Sequence, residues 1–188
     1  QRLFLGHCSF NPSGEKFIFL ARYFTDDKSG MNTCMLSYCF KTKKIKLLVS
    51  GKVSHYDWIN DTELLVWMRN SKLAKAIINN DLTKFKSISF ILNLLRKYKP
   101  KFLYKNFKDA FYLISTENNK KIPFLKDELT CDGHQMTSFD GNWLIVDQYP
   151  NKDKRIPINL INLETHKLKK IYEFNYETNI KNSDLKCD

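Results

Sequence analysis

A chain of 188 residues, 43% hydrophobic and 27% charged, is long enough for one sizeable domain with its own core, and no apolar run approaches the roughly 20 residues of a membrane-spanning helix. Its five cysteines, odd in number and without a CxxC pair, argue against a disulfide framework or a zinc knuckle. The formal net charge of +11 favours acidic partners such as a polyanionic sugar, nucleic acid or an anionic surface, although the Lys-, Asn- and Ile-rich composition is also what AT-rich coding produces.

In chain order the first recognisable unit is HCSFNPSGEKFIF, beginning at His7. It returns as HYDWINDTELLVW from His55 and HQMTSFDGNWLIV from His134. Superposing the histidines aligns all three without gaps. Phe10, Trp58 and Thr137 stand at one offset, and the apolar triplets Phe17-Ile18-Phe19, Leu65-Val66-Trp67 and Leu144-Ile145-Val146 at another. Between them lie Asn11 to Gly14, Asn60 to Thr62 and Asp140-Gly141, residue types that tolerate turn angles or bond to their own backbone. Each unit therefore predicts a strand, a tight turn and a strand buried on both faces.

Two more strands are expected after each triplet. In the first unit they are Met31 to Phe40 and Ile45 to Val49, and in the third Ile158 to Leu163 and Leu168 to Phe174. In the second they are Phe111 to Ser115 and Lys121 to Leu125, which leaves residues 70–108 as an insertion. Four-stranded antiparallel meanders recurring about every 45 residues are the signature of β-propeller blades. The expected fold is all-β, with about three blades near 6–51, 54–127 and 134–176, against the alternative of an ordinary β-sandwich. A propeller closes with about four to eight blades, and Cys187-Asp188 repeats the Cys131-Asp132 that precedes His134. The expectation is a larger propeller whose remaining blades come from a missing C-terminal part or from another chain.

Within the insertion, Ile88, Ile91, Leu92 and Leu95 have helical spacing, and Pro100 would end such a helix. Lys97, Lys99 and Lys101, interleaved with Tyr98 and Phe102, are candidate polyanion contacts. The alternative is a helix packed on the propeller with its lysines in solvent. No nucleic-acid-binding module is recognisable.

In a propeller the first strand of each blade lines the central channel, so His7, His55 and His134 should converge there. Three imidazoles could hold a divalent metal such as manganese or zinc, or each could bond a neighbouring blade's backbone. Asp57, Gln135 and Asp147 are candidate substrate-binding residues, while His166 falls in a turn and should be exposed. There is no GxSxG elbow, phosphate-binding loop, HExxH or GxGxxG. Ser54, His55 and Asp57 are adjacent on one strand, whose alternating faces keep them from forming a relay unaided.

GHCSFNPSGEKFIFL, SHYDWINDTELLVW, DGHQMTSFDGNWLIVDQYP and INLINLETHKLKKI resemble blades of oligogalacturonate lyase-like propellers and of the Tol-associated (TolB-type) repeats similar to them, in the variant found with bacterial polysaccharide-biosynthesis genes. The resemblance implies binding of an acidic oligosaccharide or polysaccharide at the channel mouth. It also implies a metal held by channel histidines and a glutamine against the uronate carboxylate, and, in an enzyme, β-elimination after a base removes the adjacent ring proton. By motif position the channel residues are His7, His55 and His134; no general base has a match. The competing expectation is a non-catalytic propeller scaffold for protein–protein interaction. Reduced thiols point to the cytoplasm, with the periplasm left open because the first residue is Gln1 rather than Met.

Overall fold

A computed structural model describes residues 3–24, 31–69, 109–151 and 153–176, together with Phe90 and Leu94. Strands β1 (Leu3–Phe10), β2 (Lys16–Phe24), β3 (Met31–Cys39) and β4 (Lys44–Gly51) form the first sheet. The second contains β5 (Val53–Trp58), β6 (Glu63–Arg69), β7 (Asp109–Ser115) and β8 (Lys121–Pro123), and the third β9 (Gln135–Thr137), β10 (Trp143–Asp147), β11 (Arg155–Asn162) and β12 (Leu168–Asn175). Every neighbouring pair is antiparallel and each sheet is a simple meander. The architecture is all-β, built of propeller blades. Phe90 and Leu94 are helical and exposed; the rest of the insertion, including Lys97, Lys99 and Lys101, lies outside the described residues.

Each first hairpin is shaped by its turn residues. The Asn11 side chain accepts the Lys16 amide at 2.8 Å, and Asn60 accepts those of Thr62 and Glu63, both at 2.9 Å. Asp140 accepts the Asn142 amide at 3.1 Å. Gly14 and Gly141 take φ of 73° and 71°, a left-handed conformation that glycine adopts without a Cβ penalty.

The register corrects the gapless alignment at one point. Phe10 pairs with Phe17 and Thr137 with Leu144, but Trp58 pairs with Leu64. The second hairpin is one residue tighter. Its structural counterpart of Phe17-Ile18-Phe19 is thus Leu64-Leu65-Val66, one position earlier than the alignment set it. A shift of one residue exchanges the two faces of a strand, and this one keeps all three blades facing the same way around.

The core lies between sheets. Ile18, Leu20 and Met35 of the first sheet meet Trp58, Leu64, Val66 and Met68 of the second. Leu65, Trp67 and Phe111 on its other face meet Leu144, Val146 and Ile161 of the third. At about 25 cal/mol per Å² of apolar surface removed from water, these two seams are the main stabilising element. Polar contacts fix their alignment: Lys46 Nζ donates to the carbonyls of Thr116 and Glu117 at 2.7 and 2.6 Å, and Asn11 Nδ2 to Asp61 Oδ1 at 3.0 Å. Where the chain leaves β6 and re-enters β7, Arg69 pairs with Asp109 as the last rung. Its Nε and Nη2 donate to the Asp109 carboxylate at 2.6 and 2.8 Å, and Lys52 Nζ adds a third contact at 3.1 Å.

Candidate functional site

The first strands of the three sheets come together around one hollow of about 210 Å³, lined by His7, Cys8, Ser9, His55, Tyr56, His134 and Gln135. Local irregularity places the first two histidines. The β1–β2 register slips between Gly6 and Ser9, and the β5–β6 register between Val53 and Tyr56. His7 and His55 therefore sit in bulges, where an extra residue re-aims a side chain away from the regular pleat. His7 takes φ of 52°. His134 precedes β9, and its carbonyl accepts the Asp147 amide at 3.1 Å.

His55 and His134 lie ring against ring, centroids 4.4 Å apart, and each is backed by a carboxylate. His55 Nδ1 is 3.0 Å from Asp132 Oδ1, with Ser54 Oγ 2.9 Å from the same nitrogen. His134 Nδ1 is 3.1 and 3.2 Å from the two Asp147 oxygens, and its backbone amide donates to Asp147 Oδ1 at 2.7 Å. An ionised carboxylate only accepts, so each Nδ1 carries a proton, and in the neutral ring it is Nε2 that presents the lone pair. Tyr149 covers the pair, its hydroxyl 3.5 Å from His55 Nε2. Burial, then Asp132 and Asp147, push the Tyr149 phenol above its ordinary range, so it stays protonated and donates. The His134–Asp147 contact is largely exposed, where such pairs are worth about 0–1 kcal/mol. Its contribution is orientation.

His7 behaves differently. Arg22 Nη1 is 3.2 Å from His7 Nε2, and since guanidinium has no acceptor, the imidazole must receive this bond in its neutral form. Burial, the Arg22 charge and His55 all hold the His7 ring below its usual pKa. The Tyr56 hydroxyl donates to the His7 carbonyl; its phenol is pushed well up by burial, then by Cys8 and Asp57.

The candidate substrate residues part company. Gln135 lines the hollow; its Nε2 donates to the Leu65 carbonyl at 3.0 Å, and its Oε1 is buried without a hydrogen-bond partner among the described residues. Asp147 backs His134. Asp57 is turned to the seam between the second and third sheets, accepting the Thr137 amide at 2.7 Å. Burial raises its carboxyl against the opposing pull of the Thr137 and Trp58 amides. His166 is exposed, edge-on to Phe124.

The donor set meets only part of what a metal requires. His55 and His134 have the carboxylate backing that ligating imidazoles use. The third nitrogen fails: a cation at His7 Nε2 would displace, and be repelled by, the Arg22 guanidinium. Among the described residues no group of three or more His, Cys, Asp or Glu is arranged to hold a metal ion. The three channel histidines do not form a ligand set in this arrangement.

Asp132, Tyr149 and Arg22 escaped the sequence reading as members of this site. Asp132 had a signal, since the acid two residues before His134 precedes a glycine that lets the loop approach β10. Arg22 had none, because its place beside His7 depends on the β1–β2 register.

No protein-family model matches the sequence, and no curated protein is similar to it. Among solved structures the chain is similar to an oligogalacturonate lyase in complex with manganese, with a TM-score of 0.55 and 10% identity over 92% of this chain and 42% of that one. It also resembles an acylaminoacyl peptidase of Pyrococcus horikoshii, with a TM-score of 0.44 and 14% identity over 89% of this chain and 25% of that one. The likeness to the lyase shows a propeller-like fold; the chain spans less than half of that protein's length.

Proposed function

We propose that the hollow binds an acidic oligosaccharide, with Arg22 receiving a sugar carboxylate and the His55–His134–Tyr149 cluster contacting the ring beside it. The observation that supports this most is the meeting, in one hollow, of two carboxylate-backed imidazoles from different blades with a third, His7, that has the Arg22 guanidinium behind it. Guanidinium presents a donor fork matched to a carboxylate, and the fold-level likeness to a lyase of oligogalacturonate agrees with such a ligand. Arg22 supplies the fixed positive charge in this reading, so no metal is called on.

The reaction within reach of the arrangement is β-elimination. His55 Nε2 takes the proton from the ring carbon beside the carboxylate, and the freed electron pair forms the carbon–carbon double bond. The bond to the leaving sugar oxygen breaks, and the Tyr149 hydroxyl protonates that oxygen. Return of the proton from His55 to Tyr149, across their 3.5 Å contact, resets the site.

Calorimetric titration with a galacturonic acid oligomer and with its neutral galactose counterpart tests the binding. The acidic oligomer alone should bind, more weakly as salt rises, with a tenfold or greater loss in Arg22→Ala. Equal binding of the neutral oligomer refutes the reading. Binding that requires added manganese and survives Arg22→Ala moves the charge from the guanidinium to the metal. Absorbance of an unsaturated product, lost in His55→Ala and Tyr149→Phe while binding persists, tests the elimination.

A second reading, a scaffold for protein association, is favoured by the apolar outer faces of the first and third sheets.

A further inference from the structure

The three channel imidazoles carry their protons alike but leave different ends unpartnered. His55 and His134 direct Nδ1 at Asp132 and Asp147, so what remains to each neutral ring is the Nε2 lone pair. His7 is reversed. Its Nε2 lies 3.2 Å from Arg22 Nη1. A guanidinium only donates, so Nε2 accepts, and the single proton of the neutral ring stands on Nδ1. That nitrogen has no hydrogen-bond partner among the described residues, and His7 lines the hollow. Burial and the Arg22 charge both oppose a second proton on the ring.

The backbone and two neighbouring strands hold this ring in place. His7 sits in the β1 slip with φ of 52°, and the Tyr56 hydroxyl, from the second sheet, donates to its carbonyl. Arg22 reaches it from β2, where it pairs with Phe4. The hydroxyls of the lining are already committed, Ser9 to the Phe10 carbonyl at 3.4 Å and Tyr56 to that of His7. One histidine per blade at the same offset thus yields two acceptors and one donor around a single hollow.

We propose that Arg22 fixes His7 as an Nδ1–H donor to the hollow, and that the bound sugar meets this donor with an oxygen other than its carboxylate. The two nitrogens of an imidazole point to different sides of the ring, so a carboxylate held by Arg22 on the Nε2 side does not also reach Nδ1. The oxygen at His7 is a hydroxyl, ring or glycosidic oxygen used as an acceptor. His7 touches the ligand, and Arg22 acts on His7 as a positioning residue. The sugar contact rests on the acidic-oligosaccharide reading above; the fixed tautomer does not, since it follows from Arg22 alone.

Nitrogen-15 NMR of the imidazoles in the ligand-free chain, with His7 assigned by its loss in His7→Gly, reads the tautomer. Glycine and asparagine both accommodate a positive φ, so His7→Gly and His7→Asn keep the backbone. The wild type should show His7 protonated on Nδ1 at neutral pH, and Arg22→Met should populate the Nε2–H form. Binding of the galacturonic acid oligomer should weaken about fivefold in His7→Gly, the size of one hydrogen bond. It should recover in His7→Asn, whose amide N–H falls where Nδ1 stood. A wild-type ring protonated on Nε2 overturns the proposal, as does a tautomer indifferent to Arg22→Met; the wild-type spectrum decides alone should that variant not fold. Equal binding by wild type and His7→Gly, or a loss that His7→Asn does not recover, removes the sugar contact and leaves the acidic-oligosaccharide reading standing. An oligomer that does not bind the wild type removes that reading and the contact with it.

Discussion

Gly133 offers a sharp test of how the site is held. A Cβ built at this position would lie 1.7 Å from the Asp147 carbonyl oxygen and 2.8 Å from the Gln148 Cα. Carbon and oxygen approach no closer than about 3.3 Å even in favourable contacts, so Gly133→Ala must drive the loop from β10 by roughly 1.6 Å. Backbone lies on both sides, and no flexible side chain can yield. That loop is bonded to β10 and its extension at three points: the Asp147 amide to the His134 carbonyl at 3.1 Å, the Tyr149 amide to the Asp132 carbonyl at 2.8 Å, and Gln148 Nε2 to the Cys131 carbonyl at 3.1 Å. Overpacking costs about 1–3 kcal/mol and each strained bond about 1 kcal/mol, against a gain of about 0.4–1 kcal/mol from restricting the unfolded chain. The net expectation is a loss of about 3–5.5 kcal/mol, or roughly 6–22 °C in Tm for a chain of this length. Binding of the acidic oligomer should fall further than stability accounts for, since Asp132 and His134 flank the displaced residue. Gly6→Ala is the control. Nothing lies within 4 Å of its added Cβ, and Tm should hold or rise slightly. Thermal unfolding of both variants reads the difference; a Gly133→Ala protein melting with wild type refutes the close approach.

Asp109→Ala should cost about 1.5–3 kcal/mol in urea unfolding, because it removes a fully buried carboxylate that accepts from Arg69 and from the half-exposed Lys52 at the base of the insertion; a cost under about 0.5 kcal/mol would show that both cations are solvated equally well without it. Asp57 predicts a pH dependence of unusual sign. Its folded pKa is raised above 3.8 by burial, so the native state retains the proton where the unfolded chain has released it. The stabilisation from this group is greatest at or below pH 3.8 and is lost as pH rises through the folded pKa. Asp57→Asn, which can still accept the Thr137 amide, should flatten the urea-midpoint profile on the side above pH 3.8, the ordinary value from which burial raises this carboxyl. An unchanged slope would assign the titration elsewhere.

The blades were legible because each needs the same three things in the same order: a turn that bends locally, an apolar run behind it, and a second hairpin. Asn11, Asn60 and Asp140 announce the turns, and the triplets announce the strands. The one-residue tightening between Trp58 and Leu64 was not legible. Loop length shows only against a register, and a gapless alignment hides it. Convergence of His7, His55 and His134 followed from rotational repetition alone. Their unequal roles did not, because those depend on which non-equivalent residues stand behind each ring. His55 has Asp132, His134 has Asp147, and His7 has Arg22, and no repeat relates the three partners.

The slips in β1 and β5 have a consequence for how such a chain can vary. Residues housed in them belong to neither pairing ladder, so their side chains can be exchanged while Ile18, Leu20, Val66 and Met68 keep their orientation. Removing one residue from either slip would leave the flanking pairs Gly6–Leu20 and Ser9–Ile18, or Val53–Met68 and Tyr56–Val66, in step and take away only the bend that aims the imidazole. The channel lining can thus drift in chemistry, or lose its reach, without disturbing the oily seams behind it.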